Sequence, residues 1–331
     1  MSNAKDSTIP EENRPEVGDY SFDLDRLLSA VVSLRAEVPN EAFTAQVLGT
    51  ERAGNGVVIS DNGLVLTIGY LITEAETIWL ATNNGQVAPA HVVGYDQASG
   101  FGLVQALGKL DVDPLPFGSI KDVHANYPVI IAGHGGRKQA LKAEVIAKRE
   151  FAGYWEYLVD EALFTAPAHP NWGGTACIGT DGRLIGIGSL LIQHSDGDET
   201  EDDEAVADGN MIVPVDLLPP ILDDLLKFGQ VQTPPRPWLG MFTADSADDD
   251  VFVVGLAKDG PADQAGIEVA DVVISVGDEL VESLADMWRK VWAQGAAGVD
   301  IPLTLMRDGK RMTKKLHSAD RNSFLKQASV H

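Results

Sequence analysis

With 331 residues, 44% of them hydrophobic, the chain is long enough for two or three globular domains with buried cores. Its 49 acids exceed 25 Lys and Arg by a formal −24, a surface that repels nucleic acid and anionic membrane and favours basic partners or plain solubility. The single cysteine excludes an intramolecular disulfide framework and any multi-cysteine metal site.

Residues 1–22 read as a flexible leader, polar and without the apolar run of a secretory signal. No segment is apolar for long enough to span a membrane. The compartment expected of this chain is cytoplasmic, or periplasmic if a signal has been removed from it. Asp23 to Val32 predicts a short helix, with Leu24, Leu27, Leu28 and Val31 at helical spacing. Short strands follow. Val31 to Val38 partly alternates. Gly56 to Ser60 and Leu64 to Thr67 flank the turn Asp61-Asn62-Gly63. Further strands are predicted at Thr77 to Leu80, His91 to Gly94, Val129 to Ala132 and Leu184 to Ile187. Many short strands with glycine-containing turns point to sandwiches or barrels.

The run from His194 to Asp208 carries Asp196, Asp198, Glu199, Glu201, Asp202, Asp203, Glu204 and Asp208. It reads as a solvated loop. Calcium binding is the alternative, and the glycine an EF-hand loop needs at its sixth position is missing. Val215 to Phe228 is helix-like. Pro234, Pro235 and Pro237 then mark a linker over 232–237. Beyond it lies a self-contained unit over 238–320 and a tail over 321–331. In that unit Val251 to Gly255 and Asp271 to Val276 are predicted strands. Ser283 to Trp292 is an amphipathic helix with a serine cap, and Ile301 to Lys310 is a hairpin arm.

The motifs of this last unit resemble those of a PDZ domain of the HtrA type: Trp238-Leu239-Gly240-Met241, Gly260-Pro261-Ala262 through Ala265-Gly266-Ile267, Asp271-Val272-Val273-Ile274-Ser275-Val276, and Met306-Arg307-Asp308-Gly309-Lys310. Ala270 departs from the glycine usual there. Upstream, Gly54-Asn55-Gly56-Val57 resembles the Gly-Ser-Gly-Val strand opening of HtrA/DegP-type serine proteases. Gly63 to Ile72, Val92 to Val104 and Gly209 to Pro214 resemble later motifs of that family, in the same order. The resemblance covers residues 25–320. It implies a mainly β fold: a trypsin-like double β-barrel over 23–231, then a PDZ domain.

The same resemblance sets the segment Pro170-Asn171-Trp172-Gly173-Gly174-Thr175 against the family's nucleophile loop Gly-Asn-Ser-Gly-Gly-Pro. Trp172 then stands at the serine position, Tyr70 at the histidine and Gly100 at the aspartate. A triad needs a nucleophile, a base and an orienting carboxylate. Indole does not attack a carbonyl, a phenol is a poor base at neutral pH, and glycine has no side chain. Pro170 also has no N–H to give to an oxyanion hole. Asp96, Ser99, His134, His169 and Cys177 are the residues left that could restore activity, and they form no defensible triad order. No cofactor and no metal site is expected.

The implied function is a non-catalytic HtrA-like pseudoprotease: a scaffold or regulatory subunit that binds peptides or protein C-termini. The backbone N–H groups of Leu239, Gly240 and Met241, after Trp238, would cap the ligand carboxylate. Met287 and Val291 would line the groove or belong to the core. The alternatives are a serine-type endopeptidase with a non-standard site, and a holdase-like chaperone. The family commonly forms trimers through N-terminal aromatics, for which Tyr20 and Phe22 are suitably placed, unless they pack on the barrel.

Overall fold

The computed structural model describes residues 8–194, 207–246 and 250–326. It divides into two compact units. The first comprises Met1–Arg149, Glu161–Val231 and Lys326–His331; the second comprises Glu150–Asp160 and Gln232–Leu325.

The first unit is built from β1 (Val31–Glu37), β2 (Glu51–Val58), β3 (Leu64–Ile68), β4 (Thr77–Ala81), β5 (Val87–Tyr95) and β6 (Phe101–Ala106), which close into one barrel in the order β1-β2-β3-β6-β5-β4. Then β7 (Tyr127–Ala132), β8 (Ala140–Gly153), β9 (Tyr157–Ala166), β10 (Ala176–Ile178), β11 (Leu184–His194) and β12 (Ala207–Pro214) close into a second, in the order β10-β11-β12-β9-β8-β7, the far ends of β8 and β9 from Glu150 to Asp160 belonging to the second unit. Closure leaves no open edge and lets aliphatic side chains fill each interior. In the first barrel Leu34, Val57, Leu66, Leu80, Leu103 and Val104 are fully buried. In the second, Ile131, Leu163, Cys177, Ile185 and Ile212 share one cluster.

The predicted helix at the N-terminus is shorter than its periodicity suggested. Helix α1 (Leu24–Ser29) starts at Asp23, whose carboxylate accepts the Arg26 N–H, and ends before Val31. Val31 and Val32 pair instead with Val57 and Gly56 in β1. β-Branched residues keep little χ1 freedom in a helix and fit a pleated, buried surface better.

The leader also needs correcting from residue 8 onward. Ile9 is 2% exposed and belongs to the second-barrel cluster, and its N–H donates to Lys138 O. Phe22 packs against Gly182, where an added Cβ would come within 2.9 Å of its ring. Of the acidic run, 195–206 lies outside the described residues. The short helix α2 (Ala45–Leu48) follows β1, and α3 (Pro219–Phe228) follows β12. Among the described residues, no helix is long and apolar enough to cross a membrane.

The second unit holds β13 (Met241–Asp245), β14 (Val251–Leu256), β15 (Val272–Val276), β16 (Glu279–Leu280), β17 (Asp300–Arg307) and β18 (Lys310–His317), with α4 (Pro261–Gln264) and α5 (Leu284–Ala293). Its sheet runs β13-β14-β15-β17-β18, with β16 paired to β15, so β13 is an edge strand. The core packs Leu239, Met241, Val253, Met287, Trp288, Val291, Leu303 and Leu305. Ser283 caps α5 by accepting the Asp286 N–H, and the Asp286 carboxylate accepts the Glu282 N–H near the same end.

Candidate functional sites

The first unit brings Tyr70, Gly100 and the Trp172 loop together. Tyr70 sits in the single turn Gly69–Leu71 that follows β3. Its phenol donates to Ser189 O at 2.8 Å and also hydrogen-bonds to the Trp172 side chain. Burial drives the phenol pKa above its ordinary value, which the Trp172 bond only partly opposes. A phenol held this way does not take up a proton at neutral pH. Gly100 offers only backbone: its carbonyl accepts the Gly69 N–H at 2.7 Å.

The 170–175 loop is fastened to β2 through one residue, Asn55. Asn55 Nδ2 donates to Asn171 O at 2.9 Å and Gly173 O at 3.1 Å, and Oδ1 accepts the His134 N–H at 2.8 Å. Asn55 N–H donates to Gly173 O at 2.8 Å. Gly174 is at φ 77°, and a Cβ there would lie 1.9 Å from Asn55 O, so only glycine fits. Sequence reasoning passed over Asn55. The available signal was that it replaces the serine of the Gly-Ser-Gly-Val opening.

The other chemical candidates are held in structural roles. His169 is fully buried. Its Nδ1 accepts the Asn171 N–H at 3.1 Å and its Nε2 faces Gln139 O at 3.1 Å, which fixes the neutral Nε2–H tautomer. Burial holds its pKa below the ordinary histidine value. Cys177 is fully buried in β10, and burial pushes its thiol well above the reactive range. Asp96 accepts the Ser99 N–H at 2.7 Å, and Ser99 Oγ accepts the Phe101 N–H at 3.2 Å, so both shape the turn at Gly100. His134 is tied through its backbone N–H to Asn55.

In the second unit, the Trp238–Met241 segment is an anion site. Leu239, Gly240 and Met241 all donate their backbone N–H groups to one carboxylate, that of Glu156. The distances to Oε1 are 3.1, 2.6 and 3.2 Å, and Leu239 N–H also reaches Oε2 at 3.1 Å. Gly240 makes this convergence feasible. It lies at φ 70°, turning successive N–H groups toward one point, and a Cβ there would press on the Trp238 ring at 3.1 Å. Trp238 is 7% exposed and packs on Phe324. Met287 and Val291 lie on the face of α5 that packs on the core, against which Ala152 of the β8–β9 hairpin also packs. Both are fully buried in the core on the inner face of α5, where helical spacing at i and i+4 puts them together.

Comparison with known proteins agrees with both halves. The family described as "Trypsin-like peptidase domain" matches residues 54–187, and "PDZ domain" matches residues 237–317. The chain is 26% identical over 312 residues to the "Serine endoprotease DegS" of Salmonella typhimurium, covering 89% of this chain and 84% of that one. It is 21% identical over 341 residues to the "Serine protease Do-like HtrA" of Bacillus subtilis, covering 92% and 73%. Among solved structures, the serine endoprotease from Yersinia pestis aligns with a TM-score of 0.52 at 23% identity, covering 89% of this chain and 95% of that one. The HtrA-type protease AlgW, solved with a decapeptide, aligns with a TM-score of 0.53 at 18% identity, covering 90% and 97%. The fold is that of a trypsin-like double barrel followed by a PDZ domain. The chain is similar to DegS- and HtrA-type serine proteases.

Proposed function

We propose that this chain binds peptides or protein C-termini through its PDZ domain and does not cleave them by serine-triad chemistry. The observation that carries the binding half is the convergence of the Leu239, Gly240 and Met241 N–H groups on a single carboxylate. The solution of the related AlgW with a decapeptide supports the same reading. The non-catalytic half rests on the cleft. The three positions that the resemblance aligns with a triad hold a buried phenol, a bare backbone and an indole. His169 and Cys177 have their acid–base and nucleophilic chemistry suppressed by burial.

A second reading is a serine-type endopeptidase working with non-standard residues. It is favoured by the related chains, which are named serine endoproteases. Incubation of the purified chain with unfolded casein, with and without a serine-directed fluorophosphonate, separates the two. The expected result is neither cleavage nor labelling. Cleavage that survives repurification and is blocked by the fluorophosphonate establishes the endopeptidase instead.

A further inference from the structure

The carboxylate on the PDZ loop belongs to this chain. Glu156 sits in the turn between β8 and β9, within the short stretch Glu150–Asp160 that is part of the second unit. It is 6% exposed and stands at φ 60°, a conformation unfavourable for a non-glycine residue that persists only when its surroundings enforce it. What enforces it is the three-amide cradle.

The neighbouring residues behave as an extended ligand would. Tyr154 O accepts the Thr243 N–H at 2.9 Å, a strand-type hydrogen bond on β13, the edge of the sheet. The Tyr154 ring meets Phe242 edge-on at 6.1 Å. On the other side, Arg289 of α5 pairs with both Glu150 and Asp160, one on each arm of the hairpin. The tip therefore touches the loop and the strand edge while the arms of its hairpin hold the helix, so the hairpin engages the loop, edge strand and helix beside which a peptide strand is added in this mode of recognition.

We propose that Tyr154-Trp155-Glu156 is an internal ligand of the PDZ domain, with the Glu156 side-chain carboxylate standing in for a C-terminal carboxylate. A foreign partner, an extended peptide with a free C-terminus, enters only by displacing this tip. The inference rests on the peptide-binding reading above and adds that the site is already filled in cis. A competitor present in the same molecule lowers apparent affinity by the fraction of molecules in which the site is open, so a tip docked 99% of the time weakens binding about 100-fold.

The test uses the full chain and a pool of fluorescein-labelled random decapeptides with free C-termini, beside the same pool amidated. Binding is read by anisotropy for the wild type, Glu156→Ala and Arg289→Ala. Glu156→Ala is expected to bind the free-carboxylate pool at least about tenfold more tightly than the wild type. Arg289→Ala, which loosens only exposed ion pairs, should gain about threefold. The amidated pool should bind none of the three. Arg289→Ala decides the matter alone if Glu156→Ala does not fold. Equal binding of the free pool by the wild type and the folded variants keeps the peptide-binding reading and overturns the internal ligand. Equal binding of the amidated pool overturns the carboxylate site. No binding by any variant with a native thermal transition overturns both readings together.

Discussion

Glu156 carries opposed influences. Burial pushes its carboxyl up to about 7, while the Leu239, Met241 and Gly240 amides and the charge of Arg321 pull it down. Released from the loop, the same side chain returns to an ordinary value near 4.5. The docked tip thus binds its proton more tightly than the free tip. Linkage makes docking strongest below about 4.5 and weaker as pH rises, with the loss complete above about 7. A C-terminal carboxylate, with a pKa near 3.5, stays ionised across that interval and competes throughout. Apparent affinity for free-carboxylate peptides is therefore expected to rise between pH 5 and pH 8 in the wild type and to stay flat in Glu156→Gln. A wild-type anisotropy titration as flat as the variant's would remove the linkage. None of this was legible from residue types. The Glu156–Leu239 contact spans 83 residues, and a lone glutamate in a Tyr-Trp-Glu-Tyr turn matches no motif. The three receiving amides were legible, because Trp238-Leu239-Gly240-Met241 has a glycine where the backbone must turn.

Elements were read most safely where local chemistry and packing agree. The serine cap and apolar stripe of α5 are one example; its inner face was legible, but not whether Met287 and Val291 met peptide or core. The turn leading into β15 is a case where they disagree. Asp271 is fully buried and accepts Arg307 Nε and Nη2 at 2.6 Å each, while its Oδ2 also accepts the Glu268 N–H at 2.9 Å. On the other side, Ala270 N–H is tied to Val253 O at 2.8 Å. Fixed at both ends, Ala270 is forced to φ 73°, in a turn where the resemblance expects glycine. The left-handed conformation costs an L-residue about 1–2 kcal/mol, and glycine returns part of that gain through its larger unfolded-state entropy. Ala270→Gly should stabilise the second unit by about 0.5–1 kcal/mol, seen as a higher denaturant midpoint at unchanged slope. A lower midpoint would mean that the side chain of Ala270 packs in a way that outweighs its strain. The opposite lesson comes from Val31 and Val32, where helical spacing predicted one element and barrel pairing imposed another.

At the scale of the whole chain, the architecture follows from short strands, glycine turns and ordered motifs, but the charge of −24 follows from no element. Seven of the acids fall in residues 195–206 alone. Like charges held on a compact body repel one another more than the same charges on an expanded chain, so the surplus opposes folding. Ion pairs work the other way. Arg26–Asp113, Arg137–Asp25 and Lys227–Asp223 are exposed, and pairs of that kind contribute only about 0–1 kcal/mol each. Salt screens both effects, with a Debye length falling from about 30 Å at 0.01 M to about 10 Å at 0.1 M. Repulsion summed over many distant acids is lost before attraction between atoms in contact. The thermal midpoint is therefore expected to rise by several degrees between 0.01 and 0.3 M sodium chloride. Chloride is the right salt for this, because sulfate raises midpoints by exclusion whatever the charge. A midpoint that falls with sodium chloride would mean that the local ion pairs, not the acidic surplus, dominate the electrostatics of the folded chain.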